Sequence, residues 1–380
     1  MKRGIFARAI AVFRGKRAVC GLLMGATMLL PFGGIALAAG RSGPLLPIPV
    51  STAPGNGDLN PYGVQFIPNR FSPLRPGDVL VSNFNNSSNQ MGTGTTIVDI
   101  RNGQQTLFYQ SASTPGFDLA LVLLKAGLVV VGNVPETYPS LTTMTPSAIG
   151  PGQLSFLSAN GMLVTSLTDS TGNFINQPWG MTTGNDRGGT VQLFVSNLNN
   201  VLVNTTGFVS RIDLSINKKT GIQVTNKVVI GAGYLNSRGP TGPAGLVYNQ
   251  ATDTLYVASQ NDNGIFAIPG AGHISTNQTT PGTVIFNDLT HLHGPTGLIM
   301  APNGDLITAN FDGVNASTAA PFAFSELTEF TAGGQFVTQF SIDPNAGSAF
   351  GLGLQLQGNA LKLAYVDDTL AALSILPFAK

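Results

Sequence analysis

From about residue 58 onward the sequence returns six times to one phrase, and this repetition restricts the fold more than any other property of the chain. The phrase opens on a turn of Pro-aromatic-Gly type and continues through a short apolar run. After a Gly, Asn or Asp turn, a second apolar run ends in Asn, Ser or Asp. The copies pair residues 60–66 with 78–83, 115–121 with 127–133, 177–181 with 192–197, 242–248 with 253–259, 294–300 with 303–310, and 349–354 with 360–367. Between them lie further runs of strand length, at 96–100 with 105–109, 153–157 with 162–167, 208–214, and 327–330 with 335–340. Each unit therefore reads as four antiparallel strands in roughly 50–65 residues, the size of one propeller blade. A lone blade leaves both apolar faces wet, so the units must stack on one another, and closing them into a ring covers every face. Asn160-Gly161 and Asn303-Gly304 predict two-residue hairpin turns. No run sustains a 3.6-residue apolar period. The expected fold is all-β: a six-bladed β-propeller over residues 58–380, four antiparallel strands per blade. Residues 371–376 form a terminal strand that could close the ring against the chain near Pro47, and 39–57 read as a Pro/Gly-rich linker or entering edge strand.

Composition agrees with a strand-and-turn protein. Gly 47 and Pro 24 disfavour a helical bundle, and at 10% charged residues the surface must take its polarity from Asn, Thr, Ser, Gln and Gly. The basic residues are unevenly placed. Lys2, Arg3, Arg8, Arg14, Lys16 and Arg17 all precede residue 38, where no acid occurs, leaving 13 basic against 18 acidic residues and a formal charge of −5 for the remainder. That balance disfavours a nucleic-acid partner. The basic start, the apolar run at 18–37 and Ala36-Leu37-Ala38 read as a bacterial-looking secretory signal peptide over residues 1–38, so the expected location is periplasmic or secreted. The run is long enough to span a membrane, but Gly21, Gly25, Pro31, Gly33 and Gly34 interrupt it, and no span is expected after cleavage. The single cysteine, Cys20, leaves with that segment, so neither disulfide nor thiol chemistry is expected afterwards.

The run Gly294-Pro295-Thr296-Gly297-Leu298-Ile299-Met300 through Asn310 resembles an NHL-type propeller repeat, and residues 245–259 and 180–197 are similar. The wider relatives implied by this resemblance are six-bladed, TolB-like propellers, among them lactonases of the gluconolactonase (SMP-30) and paraoxonase type and streptogramin lyases. Propellers host unrelated activities, so the resemblance speaks to fold before function. Lactonases of that type look to an acidic metal ligand in the first blade, where this chain has Leu59-Asn60-Pro61-Tyr62-Gly63 and no Glu.

The strand-end position of the phrase supplies Asn83, Asn133, Asn197, Ser259, Asn310 and Asp367, expected to ring one end of a central channel. Their oxygens suit a polar ligand or a divalent cation such as Ca²⁺, with Asn133, Asn197 and Asp367 as candidate metal ligands. The same residue types also cap turn backbone, which explains their presence without a ligand. Tyr62, Trp179 and Phe350 share the aromatic slot and either line the channel entrance or pack between blades. His291-Leu292-His293 would place two imidazoles on one side of an extended segment, and with Asp367 these histidines are the candidate acid–base groups. Phosphate-binding, zincin and nucleophile-elbow motifs are absent. The reading that follows is an exported binding scaffold holding a protein, peptide or small polar ligand at the channel face. A metal-dependent hydrolase or lyase of the lactonase-like kind is the alternative, and a structural envelope protein the third.

Overall fold

The computed structural model describes residues 47–111, 116–140, 142–143, 146–200, 204–236, 242–312, 325–358 and 360–379. The expected signal peptide at 1–38 and the first part of the linker lie outside the described residues. Among the described residues every regular element is a strand, and no helix is long and apolar enough to cross a membrane.

The runs of the repeated phrase form the strands in chain order. After β1 (Val50–Ser51), blade 1 holds β2 (Leu59–Phe66), β3 (Val79–Asn85), β4 (Thr96–Arg101) and β5 (Gln104–Gln110). Blade 2 begins with β6 (Phe117–Leu124) and β7 (Leu128–Asn133), detours through a small hairpin of β8 (Glu136–Thr137) and β9 (Ala148–Ile149), and resumes with β10 (Gln153–Ser158) and β11 (Leu163–Leu167). Blade 3 holds β12 (Pro178–Gly184), β13 (Thr190–Asn197), β14 (Thr206–Asn217) and β15 (Gly221–Leu235). Blade 4 holds β16 (Pro243–Asn249), β17 (Thr254–Ser259), β18 (Gly264–Pro269) and β19 (Thr283–Phe286). Blade 5 holds β20 (Pro295–Met300), β21 (Leu306–Asn310), β22 (Glu326–Phe330) and β23 (Phe336–Ser341). Blade 6 is completed by both ends of the chain: β24 (Ala349–Gln357), β25 (Ala360–Asp367) and β26 (Ala372–Ala379) continue outward to β1. The fold is a six-bladed propeller of four-stranded antiparallel blades. The closing strand is at Val50–Ser51, paired with Leu373 and Ala372.

Strand alternation divides each blade's apolar residues between its two neighbours. In β25, Leu363 and Tyr365 pack against Ile307, Ala309 and Leu327 of blade 5. Their alternates Ala364 and Val366 pack against Val79, Val81 and Val98 of blade 1. An apolar cluster fills each of the other boundaries in the same way. Each fully buried Val, Leu, Ile or Phe in these clusters contributes about 1.5–3 kcal/mol.

The glycine of the repeated phrase has a different role from the expected turn. In blades 1, 3, 4, 5 and 6 it lies inside the innermost strand, beside the bulge that interrupts the pairing of first and second strands, whereas Gly116 of blade 2 precedes β6 with a φ of 76°. Gly180, Gly245, Gly297 and Gly351 are absent from the residues with positive φ. What they lack room for is a Cβ. It would come within 1.9 Å of Ala244 O at Gly180, 2.2 Å of Thr296 O at Gly245, 2.3 Å of Phe350 O at Gly297 and 1.7 Å of Tyr62 O at Gly351. The innermost strands of blades 3, 4, 5 and 6 thus each press on the backbone of the next one around the axis. Within the bulge, the N–H groups of Gly63 and Gly180 donate to the hydroxyls of Ser82 and Ser196 at 2.8 and 2.7 Å.

Two expected hairpins also differ. Gly161 and Gly304 have positive φ (71° and 90°), but Asn160 and Asn303 do not. A two-residue type I′ turn needs both. Gly304 N–H instead returns to Ala301 O, closing a longer turn. The two-residue turn with both φ positive is at Asn102-Gly103, between paired Arg101 and Gln104.

Candidate functional site

The innermost strands β2, β6, β12, β16, β20 and β24 enclose an axial channel of about 340 Å³. Its two ends differ. Toward the strand starts, Tyr62 and Trp179 are buried and pack with Phe84, Val134, Leu198 and Ala244 in one apolar cluster, which Phe350 joins. Trp179 meets Tyr62 edge-on at 5.6 Å and Phe84 at 5.2 Å, and Tyr62 meets Phe350 at 5.6 Å. These rings close the channel at the end where the sequence placed the entrance, and burial holds the Tyr62 phenol well above its ordinary pKa. Toward the strand ends, Gln65, Leu123, Thr183, Val247, Met300 and Leu354 line the channel and are only partly buried. The wall combines apolar side chains with the open backbone edges of six strands, which offer N–H and C=O groups that no neighbouring strand uses.

The strand-end ring expected from the sequence exists as a set of equivalent positions, all nearly inaccessible. Asn83 donates to Thr52 O at 2.9 Å and to Thr96 Oγ1 at 3.3 Å. Asn197 donates to Val195 O and Ser210 Oγ and accepts from Asn176 N–H at 2.8 Å. Asn310 donates to His291 O at 2.8 Å and Thr328 Oγ1 at 3.0 Å, and accepts from His293 N–H at 3.2 Å. Ser259 donates to Asp262. Asn133 is buried at the end of β7. In blades 1, 3 and 5 the Asn83, Asn197 and Asn310 amides tie the second strand to the segment that enters the blade.

Asp367 accepts from Leu370 N–H at 3.1 Å. Burial, with the Asp343 carboxyl beside it, pushes its pKa up to about 6, and burial next to Asp367 does the same for Asp368. His291 and His293 do not share one side of an extended segment. Asp288 accepts from Thr290 N–H at 2.7 Å and pairs with His291 Nδ1, folding 288–292 into a turn. His291 then stacks on Phe336 at 3.7 Å, whereas His293 is buried within electrostatic reach of Asp312.

Ca²⁺ takes about 6–8 oxygen ligands. At this ring the Asn197 and Asn310 side-chain oxygens accept from backbone N–H groups, the Asn83 oxygen is buried without a hydrogen bond, and Asp367 supplies the one carboxyl; among the described residues no three His, Cys, Asp or Glu are arranged to hold a metal.

Two buried acids escape sequence reasoning. Glu326 has neither carboxylate oxygen hydrogen-bonded, and burial beside Asp312 pushes its pKa up to about 8. Glu136 is buried at the base of the β8–β9 hairpin, with its pKa lifted to about 7 by burial. Neither carries a local sequence signal, because an acid opening a strand reads as surface.

No protein-family model matches the sequence, and no curated protein matches it either. Solved structures do resemble it. A gluconolactonase from Xanthomonas campestris superposes with a TM-score of 0.51 at 13% identity, over 89% of this chain and 98% of that one. A luciferin-regenerating enzyme gives 0.51 at 10% identity, over 88% and 95%. A protein of unknown function from Dyadobacter fermentans gives 0.53 at 9% identity, over 89% and 99%. The chain is a six-bladed propeller structurally similar to the gluconolactonase-like group, and at these identities the likeness is one of fold.

Proposed function

We propose that this protein is an exported binding module whose ligand is a small polar molecule held in the axial channel. The ligand enters from the face of the turns between first and second strands. The supporting observation is the asymmetry of the channel: aromatic rings fill one end, while partly buried Thr183, Gln65 and Met300 border the other. Its volume lies near the lower end of the range for small-molecule sites, ~300–1,000 Å³. Open strand edges supply donors and acceptors in a regular array, suited to a ligand carrying several hydroxyl or carbonyl groups. The hydrolase reading requires convergent ligands or an acid–base pair at the strand-start face, where Asn83, Asn197 and Asn310 instead bond to the backbone of the segments entering their blades.

The test is a thermal-shift screen of small polar metabolites, with hits measured by calorimetry. A saturable ligand is expected whose binding is lost in Thr183→Tyr, which narrows the mouth, with the fold kept. A ligand that binds Thr183→Tyr as well as the wild type would refute entry from this face.

A further inference from the structure

The β8–β9 hairpin rises from blade 2 on the plugged face and lies across a loop of blade 1. Glu136 N–H donates to Gly92 O at 3.3 Å. Gln90 Nε2 donates to Ser140 O and Thr143 O at 2.7 and 2.8 Å. A Cβ on Gly92 would come within 2.6 Å of Glu136 Cγ, so loop and acid are in direct contact. Met91 of the loop and Ile149 of the hairpin pack on the cluster of Tyr62, Phe84 and Trp179. Hairpin and loop together roof the aromatic plug.

The joint between them turns on one proton. The Tyr138 hydroxyl lies 2.8 Å from Glu136 Oε2 and 2.9 Å from Met91 O. A hydroxyl carries a single hydrogen and can serve only one of these acceptors fully. If Glu136 is protonated, its own O–H donates to Tyr138, Tyr138 donates to Met91 O, and every group is satisfied. If Glu136 is ionised, Tyr138 must leave either a buried carboxylate or a buried carbonyl short of a donor. No cation offsets the charge. Among the described residues Tyr138 is the one titratable group acting on Glu136, and the blade 1 loop facing it, Gln90 to Gly92, is uncharged.

We propose that Glu136 is a proton-operated latch: protonated, it holds the hairpin against blade 1 over the plug, and ionised, it releases the hairpin and uncovers the Trp179 end of the channel. The proposal is independent of which ligand the channel takes.

The sign follows from linkage. The closed form holds Glu136 near 7 against 4.5 for a free glutamate. The contribution of Glu136 to closure is therefore full below 4.5, weakens as pH rises, and is lost above about 7.

Trp179 is the only tryptophan of the chain and reports directly on the roof. Acrylamide quenching of its fluorescence should rise severalfold between about pH 5 and 8 in the wild type. Glu136→Gln, whose amide can donate to Tyr138 as the protonated acid does, should stay at the low value throughout. Tyr138→Phe, which removes the shared hydroxyl, should be quenched at pH 5 as strongly as the wild type at pH 8. Flat quenching in the wild type would overturn the latch, and so would an undiminished pH response in either variant.

Discussion

At the scale of single residues, the recurrent glycines and the buried acids act in opposite senses. Gly351 is needed for the space it leaves, since an added methyl would sit 1.7 Å from Tyr62 O. Gly351→Ala should lower stability by about 3 kcal/mol through overpacking. Gly304→Ala, at φ 90° but facing open space, should cost only about 1 kcal/mol of left-handed strain. Denaturant titration of the two variants separates the cases, and equal losses would contradict the packing account. Glu326 is tolerated more than needed. Its carboxyl, raised from 4.5 to about 8 by burial beside Asp312, stabilises fully below 4.5 and loses that contribution as pH climbs through 8. Glu326→Gln should match the wild type at pH 4 and exceed it by about 2 kcal/mol at pH 8. A constant difference between variant and wild type across that interval would rule this out. The aromatic slot at Tyr62, Trp179 and Phe350 is visible in the sequence as a position. That three slots from blades 1, 3 and 6 meet on the axis is a property of the closed ring, and no local pattern encodes it.

At the scale of elements, alternation and turn chemistry carried most of the information. The runs at 96–100, 105–109 and 327–330 fall within β4, β5 and β22, and the run at 335–340 overlaps β23 from Phe336 onward. The Pro-x-Gly phrase was misleading about its own role. Pro and Gly read together as a turn, yet here Pro tolerates an open strand edge and Gly tolerates a neighbouring backbone. The strand-end Asn residues carry the same ambiguity in another form. An amide that could ligate a cation and one that ties a loop look alike in sequence. Only burial with named partners, such as Asn310 between His291 O and Thr328, distinguishes them. Among the described residues the β8–β9 hairpin has no counterpart in the other blades, so repetition could not announce it.

At the scale of the whole molecule, six similar sheets bury their faces against one another only if the ring closes, and closure is made by chain ends far apart in sequence. Thr52 N–H and its hydroxyl both reach Ala371 O, at 2.8 and 2.9 Å, and Asn83 of blade 1 holds Thr52 O in turn. The entering edge strand expected in 39–57, with closure near Pro47, is the short strand at 50–51, which joins the terminal run. The architecture shared with a gluconolactonase and a luciferin-regenerating enzyme is a likeness of fold. The plugged strand-start end and the open opposite end then decide which face is available. All of this depends on closure. Amide hydrogen exchange at Thr52 tests it most directly: in the intact protein this amide should be as protected as the central strands of blade 6, and it should lose that protection when residues 372–379 are deleted. Exchange at the rate of a free chain in the intact protein would contradict the closed ring.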